Sequence, residues 1–323
     1  MIAIVQALVL AFACVAFVMP AYLRLLKHSG FGKRIRRDYG LDHHIVKEGT
    51  PTMGGLLLVA VVISLALLLD AVDASTYAIL LALLGVGLLG AFDDWLNART
   101  GDGISPRMKI AWQLAVSVIS AIYLQQHFAF SSVVVPFVGE VSIGVVPWIV
   151  LAVTAIISTS NGVNLTDGLD GLAGGTMVFA WLSYMVVALL NAPGQFNVAI
   201  VCSLIAGVLV GFLWFNIHPA AIIMGDAGAL GFGAALAVTG LVTGHVLLLP
   251  FIGVIFVIET GSVIVQNISK RLFGRRIFTQ TPIHHHFEKM GWAETQITFR
   301  FWVVGAIGGV ISIVIFLATR GQV

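Results

Sequence analysis

Three polar side chains suited to binding a substrate follow one another in the middle of the chain. Asn164, Asp167 and Asp170 stand three residues apart, and glycines at positions 162, 168, 171 and 174 lie among them. A helix that starts here would bring the three side chains roughly to one face. The glycines would let the backbone approach a ligand closely. A polar loop at a membrane edge is the alternative, but it requires neither two carboxylates in register nor so many glycines.

The composition is that of a membrane protein. Of the 323 residues, 59% are hydrophobic and 10% are charged, whereas a soluble domain carries roughly 25% charged residues. The formal net charge of +2 gives no indication of nucleic-acid binding. The two cysteines both lie in apolar stretches, so neither a disulfide framework nor a cysteine metal site is expected. We predict a single all-α domain over residues 1–323 that spans the membrane many times.

Ten apolar stretches are candidate spans, since about 20 apolar residues cross a bilayer. They cover about 2–23, 52–70, 75–92, 107–126, 145–161, 172–190, 197–215, 227–244, 246–268 and 299–318, and the glycine-rich stretch 227–244 is the weakest. Lys and Arg concentrate in the alternate connections 24–51, 93–109 and 269–300. The positive-inside rule then places these connections in the cytoplasm and both termini outside. Segment 133–146 is expected to form a short hairpin on the outer side.

Further polar clusters fall on the side predicted to be cytoplasmic. They are Asp93–Asp94 at the end of span three, Asn216 and Asp226 after span seven, and His284–His286 after span nine. Polar groups kept for structural reasons would fall on both sides, so this clustering predicts one site at the cytoplasmic surface. Glu259 differs because it lies inside span nine, where an ionisable group is functional by default. Pairing across the helix bundle is an equally good reason for it.

Carboxylates that converge on one site repel one another unless a cation joins them. The available ligands are oxygens, which suit Mg²⁺, an ion that takes one or two carboxylates together with substrate phosphates. Zinc would prefer more nitrogen or sulfur ligands, and three consecutive histidines point in different directions on a helix. Asp93 and Asp94 are adjacent, so their side chains should diverge rather than bind the same ion. One would bind or position, and the other would act as a base.

The sequence also contains residues that could bind phosphate. Lys47, Arg107 and Lys109 could hold phosphate oxygens, although single cations at a membrane edge usually anchor the protein to lipid. The segment Thr50–Gly55 opens the second span. Free backbone N–H groups and the helix dipole at such an end favour an anion.

Taken together, six motifs resemble the phospho-N-acetylmuramoyl-pentapeptide transferases, the MraY family. They are Thr50–Gly55, Phe92–Asp94, Asn161–Leu172, Gly211–Asn216, Met224–Asp226 and Pro282–His286. They occur in the order of the family and extend over nearly the whole chain. The aspartate motifs are shared with the wider polyprenyl-phosphate N-acetylhexosamine-1-phosphate transferases, and the Pro-Thr-Met-Gly-Gly and His-His-His motifs narrow the resemblance to the muramoyl branch.

The resemblance implies a Mg²⁺-dependent phosphoglycosyl transferase of the bacterial cytoplasmic membrane. In this family undecaprenyl phosphate attacks UDP-MurNAc-pentapeptide, and lipid I, a peptidoglycan precursor, and UMP are formed at the cytoplasmic face. Such a transfer depends above all on charge neutralisation and alignment. A sister enzyme that uses UDP-GlcNAc is one alternative. An ion-coupled transporter is another, disfavoured because transporter sites lie near the bilayer midplane. The oligomeric state is left open, and a homodimer is compatible with the sequence.

The resemblance also implies roles for individual residues. Asp226 would bind Mg²⁺, and Asp94 or Asp93 would deprotonate or position the lipid phosphate. The remaining residues implied at the site are His285 as a catalytic residue on the phosphates with Lys109, and Lys47, Thr52, Asn164, Asp167, Asp170, Asn216, Gln266, His284 and His286 as substrate contacts.

Two positions depart from the family pattern. Many members carry an aromatic residue, able to stack on uracil, where this chain has Ile223, and the motif after Asp226 contains Ala229 in place of a Ser. Stacking of an aromatic side chain on a base contributes about 1–3 kcal/mol. We therefore expect uracil to be bound more weakly, or by other residues.

Overall fold

The structure, a computed structural model, describes residues 1–30, 32, 49–191 and 193–320. Helices dominate the described part of the chain, which has one two-stranded sheet. The helices are α1 (Ile2–His28), α2 (Gly54–Leu68), α3 (Ala74–Thr100), α4 (Pro106–Phe128), α5 (Val145–Thr166), α6 (Leu172–Leu190), α7 (Phe196–Asn216), α8 (Gly225–Val242), α9 (Leu249–Ile252), α10 (Val254–Phe273), α11 (Ile283–Lys289) and α12 (Glu294–Thr319). Antiparallel strands β1 (Ser132–Val135) and β2 (Gly139–Ser142) confirm the predicted hairpin.

The prediction of an all-α polytopic membrane protein is confirmed. Among the described residues, eight helices are long and apolar enough to cross a bilayer. The segments Val246–Ile252 and Val254–Phe273 would add a ninth span, broken by a bend of 81°. Each of the ten predicted stretches contains a helix, but α2 has only 15 residues and falls short of the usual length of a span. The orientation of the termini stays a prediction.

The glycine-rich helix α8 is the most enclosed of the candidate spans and packs against α2, α3 and α5. A Cβ atom at Gly55 of α2 would lie 2.2 Å from the backbone of Gly228, and one at Gly90 of α3 would lie 2.2 Å from the carbonyl oxygen of Asp226. Small residues allow this approach of helix backbones inside a membrane. The same residues made the stretch look weak in the sequence, but α8 qualifies as a span, and α4 has the lower mean hydropathy.

The start of α2 and the segment before it pair through their backbones with the segment that leads into α8. The Gly54 and Gly55 amides donate to the carbonyls of Ile223 and Met224 at 3.0 and 2.8 Å, and the Ile223 amide donates to Pro51 at 2.8 Å. The prediction of an anion site on free N–H groups at this helix start is therefore wrong for Gly54 and Gly55. Pro51 takes part in this pairing and Met53 is in the left-handed conformation, with φ of 70°, so α2 begins only at Gly54.

The stretch Asn164–Asp170 does not begin a helix, contrary to the sequence expectation. Helix α5 continues through Asn164 and ends at Thr166, and residues 167–171 form a turn before α6. Gly171, with φ of 75°, precedes the first residue of α6. The polar side chains therefore stand on a helix end and a turn, not on one helical face.

Candidate active site

Asp93, Lys109 and Asp226 form a charged cluster where three helices meet. The Lys109 ammonium, in the first turn of α4, lies 2.6 Å from Asp93 Oδ2 and 2.7 Å from Asp226 Oδ2. The Ile104 amide donates to the other oxygen of Asp93. A Cβ atom at position 103 would lie 2.6 Å from that oxygen, so Gly103 leaves room for the carboxylate. Predicted site residues from two separate motifs, together with Lys109, are thus in direct contact.

Asp94 turns away from its neighbour, as predicted, and caps helix α8. Its two oxygens accept hydrogen bonds from the amides of Asp226 and Ala227 at 3.1 and 3.2 Å. A Cβ atom at Gly225 would lie 2.4 Å from Asp94 Oδ2 and 3.0 Å from Thr52 Oγ1, so Thr52 and Asp94 face the same point. A carboxylate at a helix start satisfies otherwise unpaired donors and complements the helix dipole. Asp94 therefore holds the turn that carries Asp226.

The donors of this cluster fit a magnesium ion. Asp93 and Asp226 each direct one oxygen at a single ammonium, so both oxygens can reach one cation. Among the described residues, a different group, Asp170, His218 and Glu294, has three ligand atoms within 4.8 Å of one another. That group contains an imidazole, whereas a hard cation such as Mg²⁺ prefers oxygen ligands. The oxygen donors at Asp226 are chemically the better match for Mg²⁺.

Asp170 and its partners line a cavity of about 480 Å³. His218 Nδ1 lies 3.0 Å from Asp170 Oδ2 and 3.5 Å from Glu294 Oε2. The Ala220 amide donates to Asp170 at 3.1 Å, and Trp292 forms part of the wall with the Arg300 guanidinium 4.1 Å from its ring centre. Sequence reasoning missed His218 and Glu294. His218 follows the motif that ends at Asn216, and Glu294 opens the last helix next to Trp292.

The cavity and the charged cluster share two segments of chain. Thr50 and Ile223 line the cavity, while Asp226 belongs to the cluster and Thr52 lies next to its turn. The segments around residues 51 and 223 are hydrogen-bonded to each other. The cavity and the charged cluster are therefore built on the same pair of segments. Ile223, which stands where many members of the resembled family carry an aromatic residue, lies in the cavity wall.

The histidine run contacts three different partners. His284 is buried, and its Nδ1 lies 3.0 Å from Glu259 Oε1. His285 Nδ1 lies 2.6 Å from Glu288 Oε2, and the Thr279 hydroxyl lies 2.7 Å from His286 Nδ1. Glu259 thus pairs across the bundle, one of the two reasons considered for it.

The remaining predicted contacts lie around the same end of the bundle. Asn216 accepts from the Gly171 amide at 3.0 Å and donates to Ile222 at 2.8 Å, so it joins two loops. Gln266 is bonded to the backbone of Ile277 and Phe278. Asn164 and Asp167 are half-buried at the end of α5. Lys47 lies outside the described residues. The substrate contacts assigned to these residues remain predictions.

An apolar groove of about 400 Å³ lies along α5. Its walls come from α5 and from the bent segment of α9 and α10, and Ser158 and Ile264 are among the residues that line it. The groove is half open and has few polar atoms. Its shape and chemistry suit a hydrocarbon chain rather than a nucleotide.

Comparison with known proteins places the chain in a family. Residues 76–244 match the family model for glycosyl transferase family 4, and residues 47–59 match signature 1 of phospho-N-acetylmuramoyl-pentapeptide-transferase. The phospho-N-acetylmuramoyl-pentapeptide-transferase of Chloroflexus aurantiacus is 40% identical, over 94% of this chain and 88% of its own. Those of Rubrobacter xylanophilus and a Geobacillus species are each 36% identical, over 94% and 96% of this chain and 94% and 97% of their own. The chain therefore belongs to glycosyl transferase family 4 and, within it, to the phospho-N-acetylmuramoyl-pentapeptide transferases.

Proposed function

We propose that this protein transfers phospho-MurNAc-pentapeptide from UDP-MurNAc-pentapeptide to undecaprenyl phosphate, with release of UMP and formation of lipid I. The reaction would take place at the cytoplasmic face of the bacterial inner membrane. The observation that carries the proposal is the contact of Lys109 with Asp93 and Asp226 beside a cavity, and the same fold has an apolar groove along α5. One arrangement thus offers room for a nucleotide, a charged centre for phosphates and a path for a lipid tail.

In the transfer, an oxygen of the lipid phosphate forms a bond to the β-phosphorus of the UDP-sugar. The bond from that phosphorus to the bridging oxygen breaks, and UMP leaves with the electron pair. The second pKa of a phosphate is about 6, so the nucleophile is largely ionised at neutral pH. A base would then contribute less than the usual ~10²–10⁴-fold. Alignment of the two phosphates is the main task left to the protein.

The residues of the cluster divide this task. Bound at Asp226 and Asp93, Mg²⁺ would neutralise charge on the pyrophosphate. The Lys109 ammonium is placed to bind a phosphate oxygen at the same centre. Asp94 keeps the first turn of α8 in place. The 480 Å³ cavity, with Asp170 in its wall, would hold the uridine.

The sister reaction with UDP-GlcNAc is the second candidate, since nucleotide and lipid sites would be common to both enzymes. The lactyl-peptide arm, which UDP-GlcNAc lacks, carries carboxylates. Four exposed cations, Lys270, Arg271, Arg275 and Arg276, lie at the end of α10 and in the loop that leads to α11. We propose that this basic surface contacts the arm and favours the muramoyl donor.

The test is a transfer assay in detergent with undecaprenyl phosphate and the two donors at equal concentration. We expect transfer from UDP-MurNAc-pentapeptide and none from UDP-GlcNAc. Comparable transfer from UDP-GlcNAc would instead support the sister reaction. Changing both Arg275 and Arg276 to Gln should raise KM for the muramoyl donor and leave KM for undecaprenyl phosphate unchanged. The control is Arg320→Gln, which removes an exposed cation at the C-terminal end of α12. The His284–His286 run changed to alanines should abolish transfer in protein that remains folded.

A further inference from the structure

A buried acid–base pair joins α10 to α11. Glu259 and His284 have exposed fractions of 0% and 1%, and 3.0 Å separates Glu259 Oε1 from His284 Nδ1. Glu259 lies within the second half of the bent span. An ionisable group there is costly unless another group pairs with it. The pair is therefore a specific link between the two helices, because loss of either member would leave a buried polar group alone.

The other nitrogen of His284 faces the polar turn 167–171. Within the described residues, His284 Nε2 is buried and has no hydrogen-bond partner. A Cβ atom at Gly168 would lie only 2.3 Å from this nitrogen. The imidazole thus fills the space between Glu259 and the backbone of Gly168, and the turn can rest on the ring because residue 168 has no side chain.

This contact connects two parts of the candidate active site. Helix α11 has seven residues, and a helix of that length depends on tertiary contacts for its position. His285 follows His284 on α11, while Asp167 and Asp170 flank Gly168 on the turn. The orientation of all three side chains therefore depends on where the His284 ring is held.

We propose that Glu259 and His284 form a positioning pair for the nucleotide donor. Glu259 fixes the His284 ring, and the ring sets α11 and the turn 167–171 in register, so that His285, Asp167 and Asp170 meet the UDP-sugar together. Neither member of the pair touches the reacting atoms. The inference rests on the proposed function and deepens it, since it assigns a role to an acidic residue outside the cluster of Asp93 and Asp226.

A double-mutant cycle tests the pair. Glu259→Gln, His284→Gln and the double variant are assayed with each substrate varied in turn. For each single variant we expect kcat/KM for the UDP-sugar to fall by about 10–100-fold, by analogy with groups that orient metal-bound histidines. The double variant should fall no further, because members of one unit are not additive. KM for the UDP-sugar should rise, while KM for undecaprenyl phosphate should stay unchanged.

A purely structural role gives a different pattern. Partial unfolding lowers kcat through the active fraction and changes neither KM. Gly168→Ala is a second variant for the case in which Glu259→Gln does not fold. Its added methyl group would displace the His284 ring from the side of the turn. The KM for the donor should therefore rise as it does in the other single variants. The control is Ser262→Ala, which removes a buried hydroxyl of α10 that donates to the backbone carbonyl of Glu259.

Four outcomes would decide against the inference. If the losses in the double variant multiply, or if the folded single variants keep the wild-type KM for the donor, the positioning role of the pair is wrong. The proposed function is unaffected by either result, provided that the wild type transfers the sugar phosphate. Ser262→Ala with the same kinetic signature would make the effect a general property of α10. A wild-type protein that transfers neither donor would overturn the proposed function and, with it, this inference.

Discussion

Lys109 and Asp226 form an ion pair of 2.7 Å between the first turns of α4 and α8. The same ammonium lies 2.6 Å from Asp93, and Asp94 is close enough to cap the turn of Asp226. Two carboxylates thus contact one lysine and a third lies on the adjoining turn, so the group as a whole keeps an excess of negative charge. A divalent cation would balance that excess, which is the physical reason to expect metal dependence here.

Asp226→Asn is expected to lower turnover by several orders of magnitude and to leave the fold intact. The amide keeps the shape of the side chain but removes the charge that binds the cation and Lys109. Turnover and Mg²⁺ affinity, the latter by calorimetry, are measured on the same preparation. Asp102→Asn, which neutralises an exposed carboxylate in the α3–α4 connection, is the matched control. Near-normal Mg²⁺-dependent turnover in the Asp226→Asn variant would exclude Asp226 as the metal ligand.

Asp94→Asn is expected to lose activity at every pH. An amide has one acceptor oxygen, so one of the amides of Asp226 and Ala227 loses its partner. The turn that carries Asp226 then shifts whatever the pH. The check is a pH–rate profile of the variant beside that of the wild type. Full recovery at alkaline pH would instead identify Asp94 as a base.

Gly55→Ala is expected to destabilise the protein by about 1–3 kcal/mol, the usual cost of overpacking, and to reduce activity. The new methyl group would meet the backbone of Gly228, and a backbone cannot move aside as a flexible side chain can. Thermal unfolding in detergent measures the effect. Gly261→Ala is the control for stability, because a Cβ atom there has open space. Equal melting temperatures for the two variants would contradict the close packing of α2 on α8.

A pH effect on stability is expected at the far end of α8. Burial lowers the pKa of His245 to about 4, whereas in the unfolded chain the pKa is about 6.5. Below pH 6.5 the unfolded state binds the extra proton, so stability should fall as the pH drops from about 6.5 to about 4. His245→Gln should remove this component from the melting curve. The prediction fails if wild type and variant lose stability in parallel over that range.

Both termini are expected outside the cytoplasm. The expectation rests on the concentration of Lys and Arg in alternate connections. A pair of reporters, one active only outside and one only in the cytoplasm, is fused after Val323 and within loop 269–298. A cytoplasmic reading at Val323 would invert the topology and place the carboxylate cluster outside.

The sequence predicted the parts of the site better than their connections. Hydropathy locates the helices, and alternation with turn residues locates the hairpin, because both signals are local. The convergence of Asp93, Lys109 and Asp226 follows from their positions at helix ends on one side. The extended pairing of Pro51 with Ile223 is made by backbone groups, which leave no signature in residue type. The partners of Asp170 and His284 are equally hidden, since His218, Glu294 and Glu259 lie far away in the chain.

The backbone pairing between the segments before α2 and α8 has a consequence for biosynthesis. The amides of Gly54 and Gly55 obtain their partners only after the ribosome has added residues 223 and 224. Until then the early helices can enter the membrane, but the paired segments on which the cavity and the carboxylate cluster are built have not formed. A nascent chain arrested before residue 223 should therefore be inserted yet unable to bind either substrate. Catalytic competence is therefore expected late in translation, after the segment before α8 has been made.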